Sequence, residues 1–146
     1  LGCDFGRDPD GTLYMAPFKY IDRMLDNYER MFGKRPPKNI QSPIDSKDHP
    51  ELDDSELLDE DGIEKYQSIV GSMQWAVSLG RFDISTAVMT LSSFRAAPRT
   101  GHLERAKRTC AYLQQYKDAR IRFRTAMPDH SDVPSRDVKD WEYSVY

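Results

Sequence analysis

Three histidines, two cysteines and a run of carboxylates are the residues of this 146-residue chain from which catalysis or metal binding could be built. His49, His102 and His130 lie far apart with no shared ligand spacing, so each reads as a surface histidine. Cys3 and Cys110 make neither a disulfide framework nor a zinc site, and so few cysteines point to a reducing, intracellular compartment. Asp53 and Asp54 stand together after Leu52 as metal-binding acids do. Such a pair holds Mg2+ only on a rigid turn between strands. Here it falls in a stretch without regular period and reads as a decoy, as do Asp129 and Asp132. There is no P-loop, no GxGxxG and no Ser, His and acid motif. No catalytic residue, metal site or cofactor is expected from this chain itself.

The residues better suited to chemistry are those of a binding surface. Ile63, Tyr66, Val70, Met73 and Val77 form one apolar helical stripe ending near Gly80. At ~100° per residue, Gln67, Gly71 and Trp75 fall on a second stripe, roughly a third of a turn away. A glycine inside a helix costs ~1 kcal/mol relative to alanine, so its place between an amide and a large aromatic needs a reason. Glycine lets another backbone approach, glutamine bonds base or sugar edges, and tryptophan offers a broad amphipathic contact. The alternative is that Gly71 and Trp75 pack against a neighbouring helix.

The elements that must position this stripe are legible from periodicity and turn chemistry. Residues 1–16 read as a β-hairpin around Asp8-Pro9-Asp10-Gly11, part of a sheet whose other strands are missing. A helix over 17–35 follows, with Phe18, Ile21, Leu25, Tyr28 and Phe32 on one face, closed by Gly33 and Pro36-Pro37. Residues 36–62 are rich in Pro, Asp, Glu and Ser and read as a flexible acidic linker. Three helices over 63–117 make a small bundle. In it Asp83 caps a helix with Ile84, Ala87, Val88, Leu91 and Phe94 inward, and Thr100 caps one with Leu103, Ala106, Cys110 and Leu113 inward. In the tail, 118–146, Ile121-Arg122-Phe123 and Trp141 to Tyr146 read as short strands around a polar loop over 125–140. The fold class expected is therefore mainly α with an N-terminal β-hairpin and short C-terminal strands.

The net charge of −3 hides a division. Residues 45–64 carry ten acids against Lys47, and residues 81–124 carry ten bases against three acids. A basic block suits a polyanion partner even in an acidic chain. Arg105, Lys107 and Arg108 lie largely off their helix's apolar stripe. Mean hydropathy is −0.73, and the longest uncharged run, Tyr66 to Gly80, falls short of the ~20 residues of a membrane span. No membrane partner is expected. No basic start precedes an apolar core, so no signal peptide is expected. A chain that opens on Leu1 reads as a piece of a longer frame.

Several motifs occur together in a familiar order. Tyr66-Gln67-Ser68-Ile69-Val70-Gly71-Ser72-Met73-Gln74-Trp75, Arg81-Phe82-Asp83-Ile84-Ser85-Thr86-Ala87-Val88, His102-Leu103-Glu104-Arg105-Ala106-Lys107-Arg108 and Tyr112-Leu113 resemble the region behind the catalytic palm of Ty1/copia-type retrotransposon reverse transcriptases. Leu1-Gly2-Cys3-Asp4-Phe5 with Asp10-Gly11-Thr12-Leu13-Tyr14 resembles that family's post-catalytic hairpin, and Lys19-Tyr20-Ile21 and Ser42-Pro43 match its usual run. The likeness covers about residues 1–124.

The resemblance implies a palm hairpin, a thumb over 63–117 and the start of a connection toward a ribonuclease H domain. It implies a primer grip at Leu1, Gly2 and Cys3. It also puts Gln67, Gly71 and Trp75 along the minor groove of an RNA/DNA or DNA template–primer duplex. Arg81, Arg105, Lys107 and Arg108 would then meet phosphates. Partners would be that duplex and the rest of the polyprotein, in the cytoplasm or a virus-like particle. The parent would be an RNA-directed DNA polymerase using Mg2+. The family's aromatic-x-Asp-Asp motif is not in this chain, and Phe82 stands where proline is usual. The chain alone is therefore expected to have no polymerase activity. The alternative is a helical protein-interaction module left from a decayed element.

Overall fold

The computed structural model describes residues 2–45 and 47–124. The strand expected over 141–146, the loop over 125–140, His130, Asp129, Asp132 and Leu1 lie outside the described residues.

The expected hairpin forms from β1 (Asp4–Arg7) and β2 (Leu13–Ala16), antiparallel with Asp4 opposite Ala16 and Arg7 opposite Leu13. Asp8 and Gly11 close its turn, and Asp10 accepts from the Thr12 N–H. The missing partner is in part internal. Strand β3 (Ile121–Phe123) pairs antiparallel with β2, giving the order β1-β2-β3. That pairing joins segments more than a hundred residues apart, which no local pattern reports.

Helix α1 (Phe18–Phe32) buries Ile21, Met24, Leu25 and Tyr28, and Gly33 closes it through a bond from its N–H to Glu29 O. Helix α2 (Glu60–Ser78) starts three residues earlier than its apolar stripe suggests. Asp59 caps it, accepting from the Gly62 N–H at 2.8 Å, and Glu60 and Asp61 favour the positive end of the helix dipole. Helix α3 (Ser85–Ser92) and helix α4 (Thr100–Gln115) complete the set. One core joins all four: Ile21 and Leu25 of α1, Tyr66, Val70 and Met73 of α2, Val88 and Leu91 of α3, Leu103, Ala106 and Leu113 of α4. Helix α1 is thus a member of the bundle rather than a connector to it.

Three local expectations are corrected. Asp83 does not cap α3. It sits in the 3-10 turn Phe82–Ile84, where Arg81 holds both its oxygens, at 2.9 and 2.7 Å. Thr100 is the first residue of α4 rather than its cap, and the free Gly101 N–H is met by Ser55 Oγ from outside the helix, at 2.9 Å. His102 is buried rather than superficial. Its Nδ1 accepts from the Arg99 N–H, its Nε2 donates to Pro50 O, and Phe94 stacks on its ring at 4.1 Å.

The described residues of 36–59 contain no long helix or strand, in keeping with their lack of period, but the structure gives them partners. The Leu58 N–H bonds Pro98 O and the Thr100 N–H bonds Glu56 O. Arg105 holds Asp48 by two bonds of 2.7 Å and reaches Asp53 with its third nitrogen. Two acids of this stretch thus meet a base remote in sequence, which lowers the penalty for bringing them close.

Candidate nucleic-acid interface

Helix α2 presents two unlike faces. Tyr66, Ile69, Val70, Met73 and Ala76 are buried, and the Tyr66 hydroxyl donates to Leu91 O at 2.7 Å, fixing α2 against α3. The opposite face carries Gln67, Ser68, Gly71 and Trp75. Trp75 is 56% exposed. A Cβ built on Gly71 would meet nothing within 4 Å. Among the described residues, no helix lies over this stripe, so the packing explanation of Gly71 and Trp75 fails. The glycine leaves a shallow, open trough between an amide and an indole.

The stripe continues one turn further, to a residue the sequence did not single out. Leu79 follows Trp75 by four positions, so it lies on the same face. A Cβ on Gly2 would come 2.8 Å from Leu79 Cδ1, and the Cys3 thiol donates to Leu79 O at 3.5 Å. The hairpin start and the helix stripe therefore meet at Leu79. Gly2 and Cys3 are thereby placed at the Leu79 end of the Gln67–Gly71–Trp75 row.

Cations border the row on both sides. On the α3 side, Arg95 donates to Gln74 Oε1 at 3.2 Å, while its carbonyl accepts from Gln67 Nε2 at 3.0 Å. On the α1 side, the Tyr20 hydroxyl donates to Ser72 O at 2.8 Å. Its neighbours Lys19 and Arg23 share a concavity with Gly2, Cys3 and Asp4. Lys19 is exposed and pairs with Asp4 at 3.1 Å. The sequence signal for Arg95 and Arg23 was absent, because each is a lone base whose value depends on which helix stands beside α2. At the other end, Glu60, Asp61 and Glu64 make the start of α2 acidic, which disfavours an anionic ligand there.

The bases nominated from sequence are mostly engaged within the chain. Arg81 is 1% exposed and paired with Asp83, so it is a core residue out of reach of a surface phosphate. Burial pulls the Asp83 carboxyl up, but the hydrogen bonds from Arg81 outweigh it and hold it below the usual range. Arg105 is committed to Asp48 and Asp53. Ser55 and then Arg105, by hydrogen bonding to Asp53, hold its pKa down to about 2. Asp54 is exposed while Asp53 is engaged by Ser55 and Arg105, so Asp53 and Asp54 do not form a two-acid site. Lys107 pairs with Glu104 at 2.7 Å and sits 4.9 Å over the Phe32 ring. Arg108 is half-buried and bonds Ser42 O through Nε at 3.3 Å, and its terminal nitrogens make no hydrogen bond among the described residues. Lys107 and Arg108 line a separate groove between α1, α4 and residues 37–53, away from the α2 row.

Among the described residues, no three of His, Cys, Asp and Glu converge in a way that could hold a metal ion. No helix among them is long and apolar enough to cross a membrane. His49 is exposed and pairs with Glu51 at 2.9 Å. Phe82, where proline was the usual residue, is exposed on the turn before α3.

The chain is similar to a transposon Ty5-1 protein of Saccharomyces cerevisiae, with 30% identity over 151 aligned positions that cover 99% of this chain and 46% of that protein. The chain thus spans about half the length of the curated relative it matches. No family model and no solved structure matches it. The likeness supports a retrotransposon-derived protein.

Proposed function

We propose that this chain is the duplex-gripping part of a retrotransposon reverse transcriptase, without catalytic acids of its own. The observation that carries the reading is the uncovered Gln67–Gly71–Trp75 row, with open space over Gly71 and a half-exposed tryptophan. An uncharged trough flanked by Arg95 on one side and Lys19 and Arg23 on the other matches a groove floor between two phosphate strands. Minor-groove contact suits a polymerase, since that groove is degenerate in sequence and every sequence must be held. The hairpin start at Gly2 and Cys3 would meet the primer strand where the row ends. Mg2+ would belong to the acids of the parent. The remaining partner would be the rest of the polyprotein.

The experiment is a paired measurement on Trp75→Ala and Gly71→Ala. Wild-type chain should bind a primer–template duplex weakly, with little sequence preference and with affinity falling as salt rises. Trp75→Ala should cost about 1 kcal/mol of stability or less, as for most surface changes, yet weaken duplex binding. Gly71→Ala should raise helix stability slightly and hinder approach of the sugar–phosphate backbone. Undiminished duplex binding in both variants would refute the reading. The interaction-module alternative has one observation in its favour, the internal pairing of Arg81, Arg105 and Lys107. It requires duplex affinity that does not change with salt.

A further inference from the structure

The three-stranded sheet has one face that is only partly covered among the described residues. Cross-strand partners share a face, so the register places Arg7, Leu13 and Phe123 in one row and Phe5, Met15 and Ile121 in the next row of that same face. Phe5 is 74% exposed, Phe123 51% and Leu13 47%. Only Ile121 and Met15 are covered, where they approach Gly80 at the end of α2. Two exposed rings and a leucine on a strand surface of this size form an apolar patch that needs an occupant.

Charge identifies the occupant. Arg7 and Arg124 stand on either side of Leu13 and Phe123 in one concavity. Arg7 spends one N–H on Gly11 O, and Arg124 makes no ion pair among the described residues. Beside them Arg120 and Arg122 both lean on Asp8, leaving four guanidinium groups against Asp8 and Asp10. An apolar protein surface seated on Phe123 would have to desolvate Arg7 and Arg124 without pairing them. A duplex offers its bases edge-on and has no free base face for a ring to meet. An unpaired strand offers both a base face and a phosphate for each nucleotide, the combination used by sheet platforms that bind single strands.

We infer that this face of the sheet is a binding site for single-stranded nucleic acid, with bases against Phe123 and Phe5 and phosphates at Arg7 and Arg124. The site goes beyond the duplex surface of α2 and joins it through Leu79 and Gly80. A strand leaving the α2 row would cross Ile121 and then Phe123.

The test uses the 146-residue chain and a fluorescent oligothymidylate, with a blunt duplex as a separate arm. Wild-type chain should bind the oligothymidylate, and Phe123→Ala should weaken that binding roughly tenfold, the loss expected from one stacked base. Phe123→Tyr, which keeps the ring, should restore it. Arg7→Gln should make the logarithmic salt dependence shallower by about 0.7, the contribution of one single-strand phosphate. Both side chains are exposed, so unfolding midpoints should stay close to wild type and separate binding from folding. Affinity for the oligothymidylate that is unchanged in both Phe123→Ala and Arg7→Gln overturns the inference. So does a wild-type chain that ignores the oligothymidylate but dimerises through this face, with sedimentation showing monomer in Phe123→Ala. Loss of duplex binding in Trp75→Ala with intact single-strand binding separates the two surfaces. Intact duplex binding in both Trp75→Ala and Gly71→Ala refutes the α2 reading and leaves the sheet site standing.

Discussion

Replacing Arg105 with alanine tests whether the acids of residues 36–59 are held to the bundle by charge. Its guanidinium bonds Asp48 through Nε and Nη2, both at 2.7 Å, and Asp53 through Nη1. The three side chains are between 8% and 24% exposed, so the cluster is neither deeply buried nor free in water. A hydrogen bond to a charged group contributes ~1.5–3 kcal/mol, and leaving a buried charge unpaired costs ~3–5 kcal/mol. Partial hydration of the two abandoned carboxylates reduces that penalty. A loss of about 2–3 kcal/mol follows, or roughly 8–12 °C in melting temperature for a domain of this size. The pH dependence gives a second reading of the same cluster. Hydrogen bonds from Ser55 and Arg105 hold Asp53 at about 2, below its ordinary 3.8, and Arg105 lowers Asp48 as well. Depressed carboxyl groups stabilise the fold above their unfolded pKa, and that stability is lost as pH falls from about 4 toward about 2. Wild-type chain should therefore destabilise across that window, and Arg105→Ala should show a shallower decline. Thermal unfolding followed by circular dichroism at several pH values measures both. A melting temperature within about 2 °C of wild type, with an unchanged acid profile, would refute the clasp. If duplex affinity collapsed instead, Arg105 would be a phosphate contact after all.

Two further outcomes follow from the bundle and its junction with the sheet. Gly80→Ala should lose roughly 2 kcal/mol in urea unfolding, because φ is +108° there and a Cβ would lie 2.8 Å from Ile121 Cδ1; a neutral substitution would mean that the sheet does not seat on the end of α2. A thiol reagent should modify one cysteine of the native chain, the half-buried Cys3, and reach Cys110 only on unfolding, since burial removes that thiol from solvent and pushes its pKa up to about 12; rapid titration of two thiols in the native chain would contradict the core placement of Cys110.

Features set by near neighbours were readable from the chain alone. The apolar repeats of α1, α2 and α4 place Ile21 and Leu25, Tyr66 and Val70, and Leu103 and Leu113 inward, and all of these are buried. A helix brings residues three and four apart onto one face whatever surrounds it, so such stripes carry through to the fold. The Asp8 to Thr12 turn was legible for the same reason, and so was the angular position of Gln67, Gly71 and Trp75 on their helix. What lies opposite a stripe is a different matter. His102 became a core residue because Pro50 and Phe94 close over it. Arg81 left the set of surface bases because its side chain is buried in the bundle, where the partly exposed Asp83 pairs with it. Asp48 and Asp53 found Arg105 more than fifty residues away, and β3 found β2 across almost the whole chain. These pairings depend on how four helices and a sheet settle against one another, and no spacing in the sequence records that. The same holds for the α2 row. Its residue types and register came from the sequence, but its being uncovered, bordered by Arg95, Lys19 and Arg23, and continued by Leu79 to Gly2 was decided only when α1 and α3 took their places on either side of α2.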